Sequence, residues 1–163
     1  MENKKLKWYF HIHHKVLVEP LTEPIENRIK FIKENKPKEE IKLRLKLMKP
    51  VKGKLPQELI EAWQKYVEAE KKYDEMRQRY NDTGQKYVEV GRKYNGTGQK
   101  YDETEQKHDE AGQKYDRAGQ KYDEAGWKYD GARQKYNSQI ENLHKKECHD
   151  CSWDSKQQTI FPK

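Results

Sequence analysis

The stretch KYDRAGQKYDEAGWKYDGARQKY, residues 114–136, carries the repeat that shapes more than half of the chain. Tyrosine returns every seventh residue, with an Ala-Gly or Gly-Ala pair and an acidic residue between successive tyrosines. The same register holds Tyr66, Tyr73, Tyr80, Tyr87, Tyr94 and Tyr101, then Tyr115, Tyr122, Tyr129 and Tyr136. His108 fills the one gap, and Leu59 and Leu143 extend the register at either side. An odd repeat cannot keep one face of a strand, because side chains alternate with period two. It is a helix repeat, and a strict seven drifts by about 20° per unit on a straight helix, which favours a left-handed supercoil.

With tyrosine at heptad position a, position d carries Ala69, Met76, Thr83, Val90, Thr97, Thr104, Ala111, Ala118, Ala125 and Ala132. Position g is basic and position c is mostly acidic, so pairs such as Glu124–Lys128 support the helix at i,i+4. Gly84, Gly91, Gly98, Gly112, Gly119 and Gly126 occupy position e. Each costs about 1 kcal/mol against alanine inside a helix, so the helix needs a packing partner. A tyrosine stripe beside a small-residue stripe predicts a close helix pair, with rings lying over the groove of the partner and phenol oxygens at its edge. The partner is either a second chain or the same chain turned back in a hairpin. Asn95-Gly96-Thr97-Gly98 is the best turn for the second option.

Three segments follow. Residues 1–55 read as a small basic α/β head of order β-α-β. Trp8 to Val18 alternates as a half-buried strand, Thr22 caps a helix with Ile25, Ile29 and Ile32 on one face, and Ile41, Leu43, Leu45 and Leu47 alternate with Lys42, Arg44 and Lys46 as a second strand. Two strands and a helix are marginal alone, so another copy, the C-terminal residues or the start of the long helix must complete the head. Residues 56–147 are the heptad-repeat helix, opened by Pro56. Residues 148–163 are a short tail with Cys148-x-x-Cys151 and with Trp153, Ile160 and Phe161 as anchors. The fold class is mainly α.

Composition bounds the function. Of 163 residues, 32% are hydrophobic and 39% charged, and mean hydropathy is −1.45, too polar for a large core. No apolar run is long enough to cross a membrane, and no apolar segment with a cleavage site follows the charged start, so the reading is a cytoplasmic protein with no membrane partner. The formal charge of +7 is uneven: residues 1–55 carry net +8, residues 56–147 net −1, and the remainder none.

His144, Cys148 and Cys151 stand at spacings that zinc accepts, and a CxxC without a secretion signal reads as a metal or redox pair before a structural disulfide. His149 is a spare ligand, and His11, His13 or His14 offers a fourth. If one of them does, the first strand and the tail must meet, which a hairpin or an antiparallel dimer achieves. Zinc is the candidate cofactor. Lys42, Arg44 and Lys46 form the candidate anion-binding face for nucleic acid, against the plainer reading of a solvated strand face. His11-Ile12-His13 with a helical tyrosine, Tyr66 or Tyr73, matches the arrangement of metal-dependent single-strand nicking enzymes. Otherwise no acid, base or nucleophile stands apart from the repeat, and an enzyme is not expected.

Trp8-Tyr9-Phe10-His11-Ile12-His13-His14, Val18-Glu19-Pro20, the Lys-Tyr-Asp-Glu-Ala units and the closing Cys148-x-x-Cys151-Ser152-Trp153-Asp154 together resemble a group of small uncharacterised bacterial, phage and metagenomic proteins. The resemblance covers most of the chain and supports the helical reading of the repeat. It implies no activity. The expectation is therefore a structural, self-associating protein, a coiled-coil spacer presenting a basic head, with its length set by repeat number at about 1.5 Å per residue. Two alternatives are nucleic-acid association through the head and a hydrophilic repeat protein largely disordered in isolation.

Overall fold

The computed structural model describes residues 7–13, 15–95 and 98–161. It is mainly helical, and the chain divides into two compact units: residues 1–55 joined by 136–163, and Pro56–Lys135.

The second unit is a helical hairpin. Helix α3 (Gln57–Tyr94) and helix α4 (Gln99–Lys135) pack against each other within one chain. Pro56 precedes α3, where a missing N–H costs nothing. Asn95, at φ 50°, closes α3 in the left-handed conformation, and Gly98, at φ 97°, leads into α4. Gly96 and Thr97 of the expected turn lie outside the described residues. The tyrosine stripe is thus paired within the chain.

The helices run antiparallel, as the rungs show. Tyr66 meets Tyr122, Tyr73 meets Tyr115, Tyr80 meets His108 and Tyr87 meets Tyr101. The glycines let this happen. A methyl group added to Gly112 or Gly119 would lie 3.4 Å from Cε2 of Tyr80 or Tyr73, so the rings rest against the bare backbone of the facing helix. The phenols do more than reach the edge, because they hydrogen-bond one another across the pair. Helical glycine is therefore offset by aromatic packing rather than by local propensity. Of the expected i,i+4 ion pairs, Glu124–Lys128 forms at 2.6 Å.

The first unit is built on a three-stranded antiparallel sheet of order β2-β1-β3, with β1 (Lys7–Phe10), β2 (Val18–Leu21) and β3 (Lys49–Pro50). Phe10 pairs with Val18 on one side and Lys49 on the other. The expected single strand from Trp8 to Val18 is in fact a hairpin. His11 takes φ 56°, which breaks the extended run, and its N–H donates to the Leu17 carbonyl at 3.2 Å.

Helix α1 (Ile25–Asn35) forms as expected, although Pro24 rather than Thr22 precedes its first turn. The expected second strand is wrong: Lys38–Leu47 is helix α2, following Pro37 with Glu39 and Glu40 in its first turn. The head order is therefore β-β-α-α-β. The apolar alternation of residues 41–47 is too short to separate a strand from a partly buried helix, whereas proline and acidic residues at the start and basic residues at the end are helix signals.

The C-terminal residues complete the head. Helix α5 (Asn137–Glu147) and the tail pack with it, and Leu47, Cys148 and Ile160 form a buried cluster flanked by Leu43, Cys151, Trp153 and Phe161. The Glu147 carboxylate accepts from the backbone N–H groups of Lys52 and Gly53 at 2.9 and 2.6 Å, tying the end of α5 to the turn after β3. In the tail, Asp154 and Thr159 pair as an antiparallel bridge, which returns Ile160 to Leu47.

Candidate metal centre

Three segments of the first unit converge on one point. His11 follows β1 directly, and its left-handed backbone turns the imidazole inward, leaving the residue 2% exposed. His144 and Cys148 are four residues apart across the last turn of α5, so they share a helix face. The Cys148 N–H donates to the His144 carbonyl at 2.7 Å and closes that turn. Asp150, at φ 58°, then bends the chain so that Cys151 comes back to the same point.

One donor atom from each of His11, His144, Cys148 and Cys151 lies within 4.8 Å of the others. The Nε2 atoms of His11 and His144 are 2.9 Å apart, and Cys151 Sγ is 3.2 Å from His11 Nε2. A tetrahedral zinc ion with bonds of about 2.0–2.1 Å to nitrogen and 2.3 Å to sulfur separates its ligands by about 3.3–3.8 Å. The observed spacings bracket that range, so small side-chain shifts suffice. The donor chemistry fits as well. Two imidazole nitrogens and two thiol sulfurs are the donor types that zinc takes in closed four-coordinate sites. The four residues lie close together and could hold a metal ion.

The surroundings set the protonation states. The Phe10 ring lies edge-on to His144 at 5.2 Å, and Trp153 covers His11 at 5.4 Å. Burial, with smaller effects of His144 and Lys49, lowers the His11 imidazole to about 3. Burial also lowers His144. Burial thus favours the neutral form of both rings, which keeps a lone pair for a metal. Burial pushes the Cys151 thiol up to about 11, so without metal it holds its proton. A cleft of about 450 Å³ beside the cluster, lined by Glu141, His149 and Asp150 among others, gives an ion a way in.

The other candidate residues lie elsewhere. His13 is outside the cluster: its side chain is 54% exposed, and its Nδ1 bonds the Glu19 carboxylate at 2.7 Å. His14 lies outside the described residues. His11 and His13 therefore share no strand face, because both lie beyond the end of β1 at Phe10. The Tyr66 and Tyr73 hydroxyls are taken by Tyr122 and Tyr115 at 2.7 and 2.5 Å.

Lys42, Arg44 and Lys46 do not form one face either, since α2 turns Arg44 away from the two lysines. Arg44 is buried, bonds Glu40 at 2.5 Å and lies over the Phe161 ring at 4.9 Å. Lys42 and Lys46 remain exposed. Glu147 and Asp150, which position the tail, had no signal in the sequence beyond their closeness to the CxxC. Among the described residues no helix is long and apolar enough to cross a membrane. No family model matches the chain, and no curated protein or solved structure matches it.

Proposed function

We propose that the protein is a structural module whose head is closed by one zinc ion on His11, His144, Cys148 and Cys151, and whose tyrosine-laddered hairpin serves as a helical spacer. The convergence of these four donors carries the reading. They come from the end of β1, the last turn of α5 and the tail, so one ion ties together segments more than 130 residues apart in sequence. Two histidines and two thiolates fill all four positions of a tetrahedral ion, which suits a closed structural site and leaves none for a substrate. Two thiolates also neutralise the charge of the ion, which limits the cost of burying it.

The test is metal content with stability. Protein purified without added metal should carry about one zinc per chain by elemental analysis, and Cys148→Ser and Cys151→Ser should each lose most of it. A strong chelator should lower the melting temperature of the wild-type head and leave the two variants nearly unchanged. Zinc-free protein with an unaltered melt in chelator would overturn the proposal.

A second reading draws on the net charge of +8 over residues 1–55, which favours an anionic partner such as nucleic acid for the head. It predicts salt-dependent retention on DNA or RNA that weakens in a Lys42→Glu, Lys46→Glu double variant. Arg44, held by Glu40, should contribute little to it.

A further inference from the structure

The hairpin interior is a file of stacked aromatic rings. Along it, Tyr129 stacks on Tyr66 at 6.0 Å, Tyr122 on Tyr73 at 5.5 Å, Tyr115 on Tyr80 at 5.6 Å and His108 on Tyr87 at 5.7 Å. Between these steps stand three rungs made of two phenols each. Tyr66 and Tyr122 have ring centres 5.2 Å apart and hydroxyls 2.7 Å apart. Tyr73 and Tyr115 are 5.0 Å apart with hydroxyls at 2.5 Å. Tyr87 and Tyr101 are 5.1 Å apart with their hydroxyls hydrogen-bonded. The fourth rung puts His108 against Tyr80 at 4.6 Å and has no second phenol.

Facing hydroxyls have a chemical consequence. A phenol that loses one electron and its proton becomes a phenoxyl radical, with spin on the oxygen and on the two ring carbons ortho to it. Each ortho carbon is bonded to the carbon that bears the oxygen. Rungs whose oxygens touch therefore bring the ortho carbons of opposite helices side by side.

We propose that the three phenol rungs are sites of oxidative cross-linking, at which a peroxide acting through a haem peroxidase, a one-electron oxidant, joins α3 to α4 by dityrosine bonds. Each link forms in balanced steps. Two phenols each lose one electron and the hydroxyl proton, and the two radicals form one carbon–carbon bond between ortho positions. The ortho hydrogens then move to the oxygens and restore both phenols. One hydrogen peroxide takes up the two electrons and two protons and becomes two waters.

The rungs are not equal. The Tyr87 hydroxyl donates to the Glu105 carboxylate at 3.1 Å, so that rung has a built-in proton acceptor as the electron leaves. Hydrogen bonds with the partner phenol that favour the protonated form raise Tyr66, Tyr87 and Tyr115 above their ordinary value, which keeps these hydroxyls neutral until oxidation. The inference rests on the hairpin alone and is independent of the metal.

The test treats the full-length protein with hydrogen peroxide and a haem peroxidase. It reads dityrosine fluorescence, chain mass on a denaturing gel, and cross-linked peptides by mass spectrometry. Links should fall within single chains at 66–122, 73–115 and 87–101, each with the mass of two hydrogens lost. Tyr122→Phe keeps the ring stack but should remove the first link and spare the third. Glu105→Gln should lower the share of the 87–101 link several-fold against the other two, an effect that loss of packing would not confine to one rung. Cross-links running mainly between chains through the more exposed Tyr94, or no dityrosine in protein whose helical spectrum is intact, would overturn the proposal.

Discussion

At the scale of single residues, the structure turns on a few backbone conformations that place side chains with ordinary chemistry. His11 and Asp150 both take left-handed φ, and each re-aims the chain at the His/Cys cluster. The spacing of His144, Cys148 and Cys151 was legible in the sequence, because four residues bring His and Cys to one helix face and a two-residue gap suits a metal loop. The choice among His11, His13 and His14 was not. It depends on where β1 stops, which pairing with β2 and β3 fixes and local pattern does not.

The Cys151 thiol, pushed up to about 11, must give up its proton to bind zinc. Its proton alone should make zinc affinity rise by about tenfold per pH unit through neutrality. A competition titration with a coloured chelator between pH 6 and 8 checks the slope, with at least one proton released per zinc in weakly buffered solution. At Gly53 an added methyl would fall 2.5 Å from Leu143 Cδ1 and 2.8 Å from Glu147 Oε1. Gly53→Ala should therefore destabilise the head by about 1–3 kcal/mol in urea unfolding.

At the scale of elements, the long repeat was legible because its period excludes a strand and its length excludes a short buried run. The hairpin was legible only as one of two options. Heptad spacing sets which face is sticky, while the choice of partner depends on a turn of a few residues. Helix α2 was misread because Ile41, Leu43, Leu45 and Leu47 mimic a strand, and packing decided otherwise: Leu47 is fully buried and Arg44 is drawn under Phe161.

Gly126 offers a clean test of the packing. A methyl there would sit 3.6 Å from Cε2 of Tyr66, an ordinary contact. Gly126→Ala should therefore stabilise the hairpin by about 0.5–1 kcal/mol through helix propensity, whereas Gly126→Leu should destabilise it. Chemical unfolding followed by circular dichroism measures both.

Alkaline pH tests the phenol pairs. Phenols of the unfolded chain ionise near 10, whereas Tyr66, Tyr87 and Tyr115 are raised above that value in the hairpin. The unfolded state then binds fewer protons, so stability is full below about 10 and falls as pH rises beyond it. Tyrosinate absorbance should appear late and together with loss of helix. Early ionisation with the helix intact would contradict the pairing.

At the scale of the whole molecule, the division into two units was only partly legible. Composition separates a basic start from a near-neutral repeat, but nothing local announces that residues 136–163 leave the repeat and join the first 55. Tyr136 and Leu143 keep the heptad register, and the long-range ties that recruit α5, the Glu147 carboxylate on Lys52 and Gly53 and the His144 contact with His11, are single contacts with no periodic signature.

Each unit has its own source of stability, a small core beside the His/Cys cluster in one and stacked rings in the other. Thermal unfolding should therefore show two transitions, with chelation moving only the one that belongs to the head. A single transition shifted as a whole by chelator would contradict this independence.

The most direct measurement is X-ray absorption at the zinc edge on protein purified without added metal. A mixed shell of two nitrogens at about 2.0–2.1 Å and two sulfurs at about 2.3 Å is expected, with most of the zinc signal lost when either Cys148 or Cys151 is replaced by serine. A zinc shell without sulfur, or zinc-free protein whose head keeps its fold in chelator, would contradict it.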